Sequence, residues 1–247
     1  MKALLALLLL GVAWEAGSRL GAVSPLLMPA PSLILGWCLS SLASGEMVGH
    51  LAASGERLLS GVVLGGLAGV ALGLAMGLSA RLGATLDPML AGLHPLPKLA
   101  LLPLFLVIFG FGETARILPI ALAAFFPMAI AGANAVRGID PLLRDVARNY
   151  RARGIVLLRR VILPGAMPML ATGFRLAVNA AVIVTISVEM LTATEGIGAA
   201  VWQAWQTMRL EQLYGTLVIV AVLGVAGQHL LGREGVRGAS SIRGKDP

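Results

Sequence analysis

Long apolar stretches alternate with short polar ones along almost the whole chain. Six of them, roughly 2–19, 57–79, 88–110, 115–136, 164–191 and 211–231, approach or exceed the ~20 residues that a helix rising 1.5 Å per residue needs to cross hydrocarbon. Between the first two lies SPLLMPAPSLILGWCLSSLASGEMVGHLAASGE, where Pro25, Pro29 and Pro31 break the chain. Ser32 then starts a partly apolar helix, expected to lie along or just above a membrane. Asp87-Pro88 and Asp140-Pro141 read as helix starts, because an Asp cap satisfies orphan backbone donors and proline tolerates the first turn. They are expected to open the third span and a helix in the loop after the fourth.

Two features within the spans add detail. The second span carries Gly61, Gly65, Gly69, Gly73 and Gly77, one every four residues. Such a stripe lets another helix approach closely where lipid offers no hydrophobic drive for association, so it predicts packing rather than a transport role. Prolines 95, 97, 103, 119 and 127 fall within or at the ends of spans three and four, where they free carbonyls and permit kinks.

Composition fixes the class. With 57% hydrophobic and 13% charged residues and a mean hydropathy of +0.88, the 247-residue chain cannot hide its apolar side chains in one water-soluble core. The fold expected is an all-α integral membrane protein of six transmembrane helices with a cytoplasmic loop helix. Its formal charge of +7 falls largely in two short blocks between apolar runs, which is membrane topology rather than a nucleic-acid surface. If the N-terminus is cytoplasmic, the inner segments hold Lys2, Arg81, the run from Arg137 to Arg160, and Arg233, Arg237, Arg243 and Lys245. The outer segments hold little beyond Arg19, Arg57, Arg116 and Arg209. Both ends are therefore expected inside.

Lys2 and the apolar run to Ala13 also resemble a signal peptide, but Trp14 and Glu15 stand where a small-x-small cleavage site belongs, so a first span is the reading. Glu15 and Arg19, four apart, are placed to pair. One cysteine, Cys38, excludes an internal disulfide framework and is expected to pack. His50, His94 and His229 lie far apart without metal-ligand spacing, so no metal is expected.

After Asp140-Pro141, Leu142, Leu143, Val146, Ala147 and Tyr150 recur at helical spacing, with Arg144, Asp145, Arg148 and Asn149 on the other side. This is a short amphipathic helix. Val161-Ile162-Leu163-Pro164 follows it. At this point the chain resembles the permease subunits of bacterial ABC importers, whose signature is EAA, then a glycine, then I-x-L-P. Asp145-Val146-Ala147 stands for EAA, and Leu163 and Pro164 close the second element. LMPAPSLIL, LDPMLAGLHPLPKLALLPLFLVIFGFGET, AFFPMAIAGANAVRGIDPLLRDVARNY, LPGAMPMLATGFRLAV and VEMLTATEGIGAAV resemble the nitrate, sulfonate and taurine branch, in order, over about residues 25–225.

The resemblance implies one transmembrane permease domain over 1–247, with a family-like core at about 25–231, a cytoplasmic coupling loop at 137–163 and a basic tail at 232–247. It implies a coupling helix, 141–154, docked on an ABC ATPase that carries the ATP and magnesium, and a solute-binding protein on the outer loops. A second permease copy and membrane lipid complete the partners, in a bacterial cytoplasmic (inner) membrane. One departure matters: Arg151 stands where the signature glycine belongs, and the next glycine is Gly154. Since a left-handed residue other than glycine costs roughly 1 kcal/mol, the helix is expected to run on to Gly154, with Arg151 and Arg153 in its last turn, where cations suit the dipole.

Lys98, Arg175 and Glu189 are ionisable residues inside predicted spans and are candidates for the substrate path, with Asn179 one turn from Arg175. Lys98 and Arg175 are expected at similar depth and would suit a small anion; snorkelling or pairing within the bundle is the structural alternative. After Glu189, Gly196 and Gly198 suggest a tight turn and Ala199 to Arg209 a short helix, with Trp202 and Trp205 at the outer interface.

No GxxxxGK[ST] occurs, so hydrolysis must come from a partner and the chain is not expected to be an enzyme. A stand-alone secondary transporter would be expected to show internal repeats with matching broken helices, and none is evident. An intramembrane hydrolase would need G-x-S-x-G or a nucleophile-base pair, also absent. The reading is an importer permease for a small anionic solute such as nitrate, a sulfonate or taurine.

Overall fold

The computed structural model describes residues 2–243; Lys245, counted above in the basic tail, lies outside them. The described chain is helical: α1 (Lys2–Arg19), α2 (Pro31–Ala43), α3 (Glu46–Leu78), α4 (Ala80–Leu93), a 3-10 turn (Lys98–Leu101), α5 (Leu102–Phe109), α6 (Glu113–Arg137), α7 (Pro141–Asn149), α8 (Gly154–Leu157), a π-helical turn (Leu158–Ile162), α9 (Leu163–Thr192), α10 (Ile197–Gln206) and α11 (Leu210–Arg243). Among the described residues, α3, α6, the 154–192 helical run and the 210–227 part of α11 are long and apolar enough to cross a membrane, and the bent pair 80–93 with 98–109 makes five if taken as one span. The expectation of six is met only by adding α1, whose charged residues Lys2, Glu15 and Arg19 dilute its apolar run.

Two expectations about the third span are corrected. It is not one helix over 88–110: α4 and the following helices meet at 89°, since Pro95 and Pro97 remove donors and bar the helical conformation from the residues before them. Nor does Asp87-Pro88 open it. Ser79 caps α4, its side chain accepting the Leu82 N–H, and Pro88 falls inside the helix. Asp87 instead accepts a 2.7 Å bond from Arg137. Asp140 does cap α7, its Oδ1 accepting the Leu142 N–H at 2.8 Å.

The chain divides into two compact units. The first comprises residues 1–55 and 189–227. Ile34, Cys38, Met47, Ala200 and Ile219 form its core, flanked by Trp14, Trp37, Leu51 and Tyr214. The Cys38 thiol donates to the Gly215 carbonyl at 3.4 Å, and Trp14 meets Tyr214 edge-on with centroids 6.0 Å apart. Arg19 pairs with Glu15 at 2.5 Å, and the Glu15 carboxylate also accepts the Ser32 N–H at 3.0 Å, tying α1 to the start of α2.

The second unit, residues 56–188 and from 228 onward, is built around α6. Of the most apolar 18 residues of α6, 61% are buried, against 33% in α3 and 28% in the 154–192 run. The interior of α6 is mostly alanine, which lets its neighbours come close. Gly61, Gly65, Gly69, Gly73 and Gly77 all face it: a Cβ at Gly69 would lie 2.5 Å from the Phe125 carbonyl oxygen, and one at Gly65 would enter the Ala121 carbonyl. Val62, Ile120, Ala124, Met128, Ala166, Leu170 and Ala177 complete the core with α9. Arg57 at the base of this contact is 7% exposed. Its guanidinium forks onto Glu113, Nε to Oε2 at 2.7 Å and Nη2 to Oε1 at 3.0 Å.

Candidate functional site

The segment from Asp140 to Pro164 joins α6 to α9. Ile139 and Ile162 are buried with Val136, flanked by Leu157 and Leu158, so both ends of the segment are held by apolar packing. On α7, Ala147 faces inward at 5% exposure, while Leu142, Leu143, Val146 and Tyr150 are exposed, Tyr150 at 84%. An amphipathic helix with its apolar stripe turned outward is incomplete by itself. Asp145 is exposed beside them.

The helix does not continue to Gly154. It ends at Asn149, and Arg151 adopts φ +51, with Gly154 at φ +55 starting a separate short helix. The Ala152 N–H reaches back to the Ala147 carbonyl at 2.9 Å, the six-to-one bond of a Schellman ending, which satisfies a carbonyl that the helix would otherwise leave bare. That closure outweighs the cost of a left-handed arginine, and so the expectation that Arg151 and Arg153 occupy a last helical turn fails. Glycine at 151 removes the steric cost, so R151G is expected to tighten this ending by up to about 1 kcal/mol, read as slower hydrogen exchange of the Ala152 amide. Faster exchange would show that the arginine side chain itself holds the turn.

Leu163 and Pro164 follow a π-helical turn in which the Leu163 N–H bonds the Leu158 carbonyl. Proline at 164 lacks an N–H and crowds the carbonyl four residues before it; widening the preceding turn by one residue relieves both problems. Arg151, Arg153, Arg159 and Arg160 are all exposed along this stretch.

Glu189 lies at the opposite end of α9 and is fully buried. The Ser54 hydroxyl donates to its carboxylate, at 2.9 Å to Oε1 and 2.8 Å to Oε2, and the Gly198 N–H donates to Oε2 at 3.0 Å. Ser54 in turn accepts the Ile197 N–H at 2.8 Å, and His50 Nδ1 accepts the Gly196 N–H at 3.0 Å. Three successive amides at the start of α10 thus meet three different side chains. Two come from one face of α3, at i and i+4, and the third from α9. Gly196, at φ +120, leaves the room: a Cβ there would sit 2.5 Å from Glu189 Oε1. The geometry is that of a carboxylate fixing a helix start.

Lys98 opens the 3-10 turn after the bend, donates to the His94 carbonyl and lies 5.0 Å from the Phe126 ring centroid, a cation–π distance. Arg175 is half-buried and Asn179 exposed. Gly173, two residues before Arg175, faces Ala131, so Lys98 and Arg175 are level with the same 126–131 stretch of α6. Neither lines a cleft in this unit, an opening of about 420 Å³ bordered by His94, Ile130, Asn134, Thr172, Leu176 and Ala180 among others. A neighbouring cleft of about 240 Å³ shares Ile130 and Asn134 with it and reaches Asp87.

Sequence reasoning missed Ser54, His50, Asn134 and the Arg57–Glu113 fork. Only the last had a visible signal, an arginine and a glutamate each at the edge of an apolar run.

Residues 61–231 match the family described as binding-protein-dependent transport system inner membrane component. A Bacillus subtilis (strain 168) permease named for aliphatic sulfonates transport, SsuC, is 36% identical over 91% of this chain and 81% of its own. The taurine transport system permease protein TauC of Escherichia coli (strain K12) is 32% identical over 85% of this chain and 78% of its own. Among solved structures, an inward-facing conformation of the MetNI methionine ABC transporter matches with a TM-score of 0.62 at 22% identity, covering 74% of this chain and 93% of that one.

Proposed function

The chain belongs to the family of binding-protein-dependent transport system inner membrane components and is a permease subunit of an ABC importer, and from this premise we propose that its cargo is a small anion of the sulfonate kind and that α7 is where the ATPase acts. It is a multi-pass inner membrane protein, works with an ATPase and a solute-binding protein, and does no bond chemistry itself. The cargo rests on the relatives named for aliphatic sulfonates, taurine and nitrate. Residues 1–247 are read as a single permease domain with both termini in the cytoplasm, paired with a second permease copy, in contact with lipid and free of nucleic acid.

One observation carries the ATPase contact: α7 is anchored through Ala147 and turns Leu142, Leu143, Val146 and Tyr150 outward. A groove that takes these side chains would bury an apolar face left exposed among the described residues. The arginines at 151, 153, 159 and 160 support a cytoplasmic location for the loop; in this reading charge sets the location and the apolar stripe supplies the grip. Closure of the ATPase pair would then move α7 relative to α9 about the π-helical turn.

L143D and Y150A test this reading. Both residues are exposed, so the permease is expected to assemble normally, while each variant lowers ATP-driven uptake by about thirtyfold, the ~2 kcal/mol typical of an interface anchor. Measuring ATPase co-purification and uptake in proteoliposomes decides it. Wild-type rates in both variants would remove α7 from the contact.

A further inference from the structure

We propose that the cleft between the end of α4, α6 and α9 is the part of the transport path this chain contributes, and that it favours an alkyl sulfonate over a bare inorganic anion. The inference rests on the importer reading above and deepens it, by assigning part of the selection to the permease rather than to a binding protein alone.

The helices around the cleft order its polar and apolar parts. A Cβ on Gly165 would meet Ile139, and one on Gly173 would meet Ala131 and approach the Pro127 carbonyl. Numbers therefore rise along α9 as they fall along α6, and the helices are antiparallel. Asn134 and Thr172 lie toward the end of the cleft nearer α7; Leu176 and Ala180 lie toward the other. At about 420 Å³ the space falls within the ~300–1,000 Å³ usual for small-molecule sites.

Its chemistry is one-sided. Among the described residues, no carboxylate lines it. Asp87, on α4 in the adjoining cleft, is already bonded to Arg137. The Thr172 hydroxyl donates its proton to the Pro168 carbonyl at 3.2 Å, so the Asn134 amide, exposed and without a side-chain hydrogen bond among the described residues, and the His94 imidazole are the donors left for an anionic head. Beyond Asn134, Thr172 and His94 the side chains of the wall, including Ile130, Met169, Leu176 and Ala180, are apolar. A bare oxyanion would give up its water here for little in return. An alkyl tail against the same wall recovers about fourfold in affinity for each buried methylene. Head at Asn134 and tail toward Ala180 is the orientation that satisfies both.

The test uses the complete transporter, this chain with its ATPase and binding protein in proteoliposomes, and compares ATP-driven uptake of methanesulfonate, hexanesulfonate and nitrate, each corrected for the binding protein's own affinity. Wild type is expected to prefer hexanesulfonate. A180F, which fills the tail end, should lower hexanesulfonate uptake about tenfold and leave methanesulfonate within about twofold. N134D should lower both sulfonates by about tenfold or more, as befits a lost bond to a charged group, with N134Q restoring most of it. Wild-type selectivity in A180F and N134D, equal slowing of both sulfonates by A180F, or wild-type uptake of nitrate alone would each overturn the inference while leaving the importer reading intact. A wild-type complex that moves none of the three on ATP would instead count against the cargo proposed above.

Discussion

Replacing Glu189 with alanine is expected to destabilise the protein by about 3–5 kcal/mol, the range for removing one partner from a buried charged network. The side chain is wholly buried and takes bonds from Ser54 and from the Gly198 N–H. Alanine leaves those donors facing a void without water, and each unsatisfied buried donor costs about 1–3 kcal/mol. The cavity adds to this. At about 2–4 °C per kcal/mol for a chain of this size, thermal unfolding in detergent should shift by roughly 10 °C or more. E189Q keeps the shape but turns an amide toward the Gly198 N–H or Ser54, so an intermediate loss is expected. E211A, on an exposed side chain, should stay within about 0.5 kcal/mol. A shift for E189A no larger than that of E211A would show that the start of α10 is held by other means.

The second large effect separates two adjacent glycines. G65A is expected to cost about 1–3 kcal/mol, since its Cβ would occupy the Ala121 carbonyl and the two backbones must part. G66A has nothing nearer than Met128 Cγ at 4.0 Å, so the better helix propensity of alanine should give a gain of up to about 1 kcal/mol. Opposite signs at neighbouring positions are hard to obtain from any cause but a directed backbone contact. Thermal unfolding of the two variants side by side reads this, and a common sign would refute the contact.

Where the chain crosses apolar surroundings, its helices could be read from length and hydropathy: spans expected at 115–136 and 164–191 are found as Glu113–Arg137 and Leu163–Thr192. The glycine spacing announced a face because the period of a helix puts every fourth residue near one line. α3 was the harder case. It starts at Glu46, eleven residues before the expected span, because His50 and Ser54 spend their polarity on amides some 140 residues away. No local pattern reports a partner that distant. Arg151 failed for a related reason: propensity ranks one residue at a time, whereas the ending was decided by a bond between Ala152 and Ala147. The pathway candidates Lys98 and Arg175 were chosen for charge, but charge inside a span also finds internal partners, as the His94 carbonyl and the Phe126 ring show for Lys98. Asn134, neutral and flanked by alanines, carried no such signal.

The meeting of α3 and α6 has a mechanical consequence. With glycine on one side and mostly small residues on the other, main chain rests almost on main chain along the stripe, and few long side chains stand there to bend as the helices shift. Soft rotamers are what let packed helices slide past one another; without them the pair is expected to behave as a stiff beam. Strain imposed from outside must then be absorbed where the ladder of backbone bonds is already irregular, at the 89° break before Lys98 and at the wide turn before Leu163. Those two places are the compliant joints of the second unit, and spin labels flanking them should report larger changes in distance during turnover than labels placed along the beam.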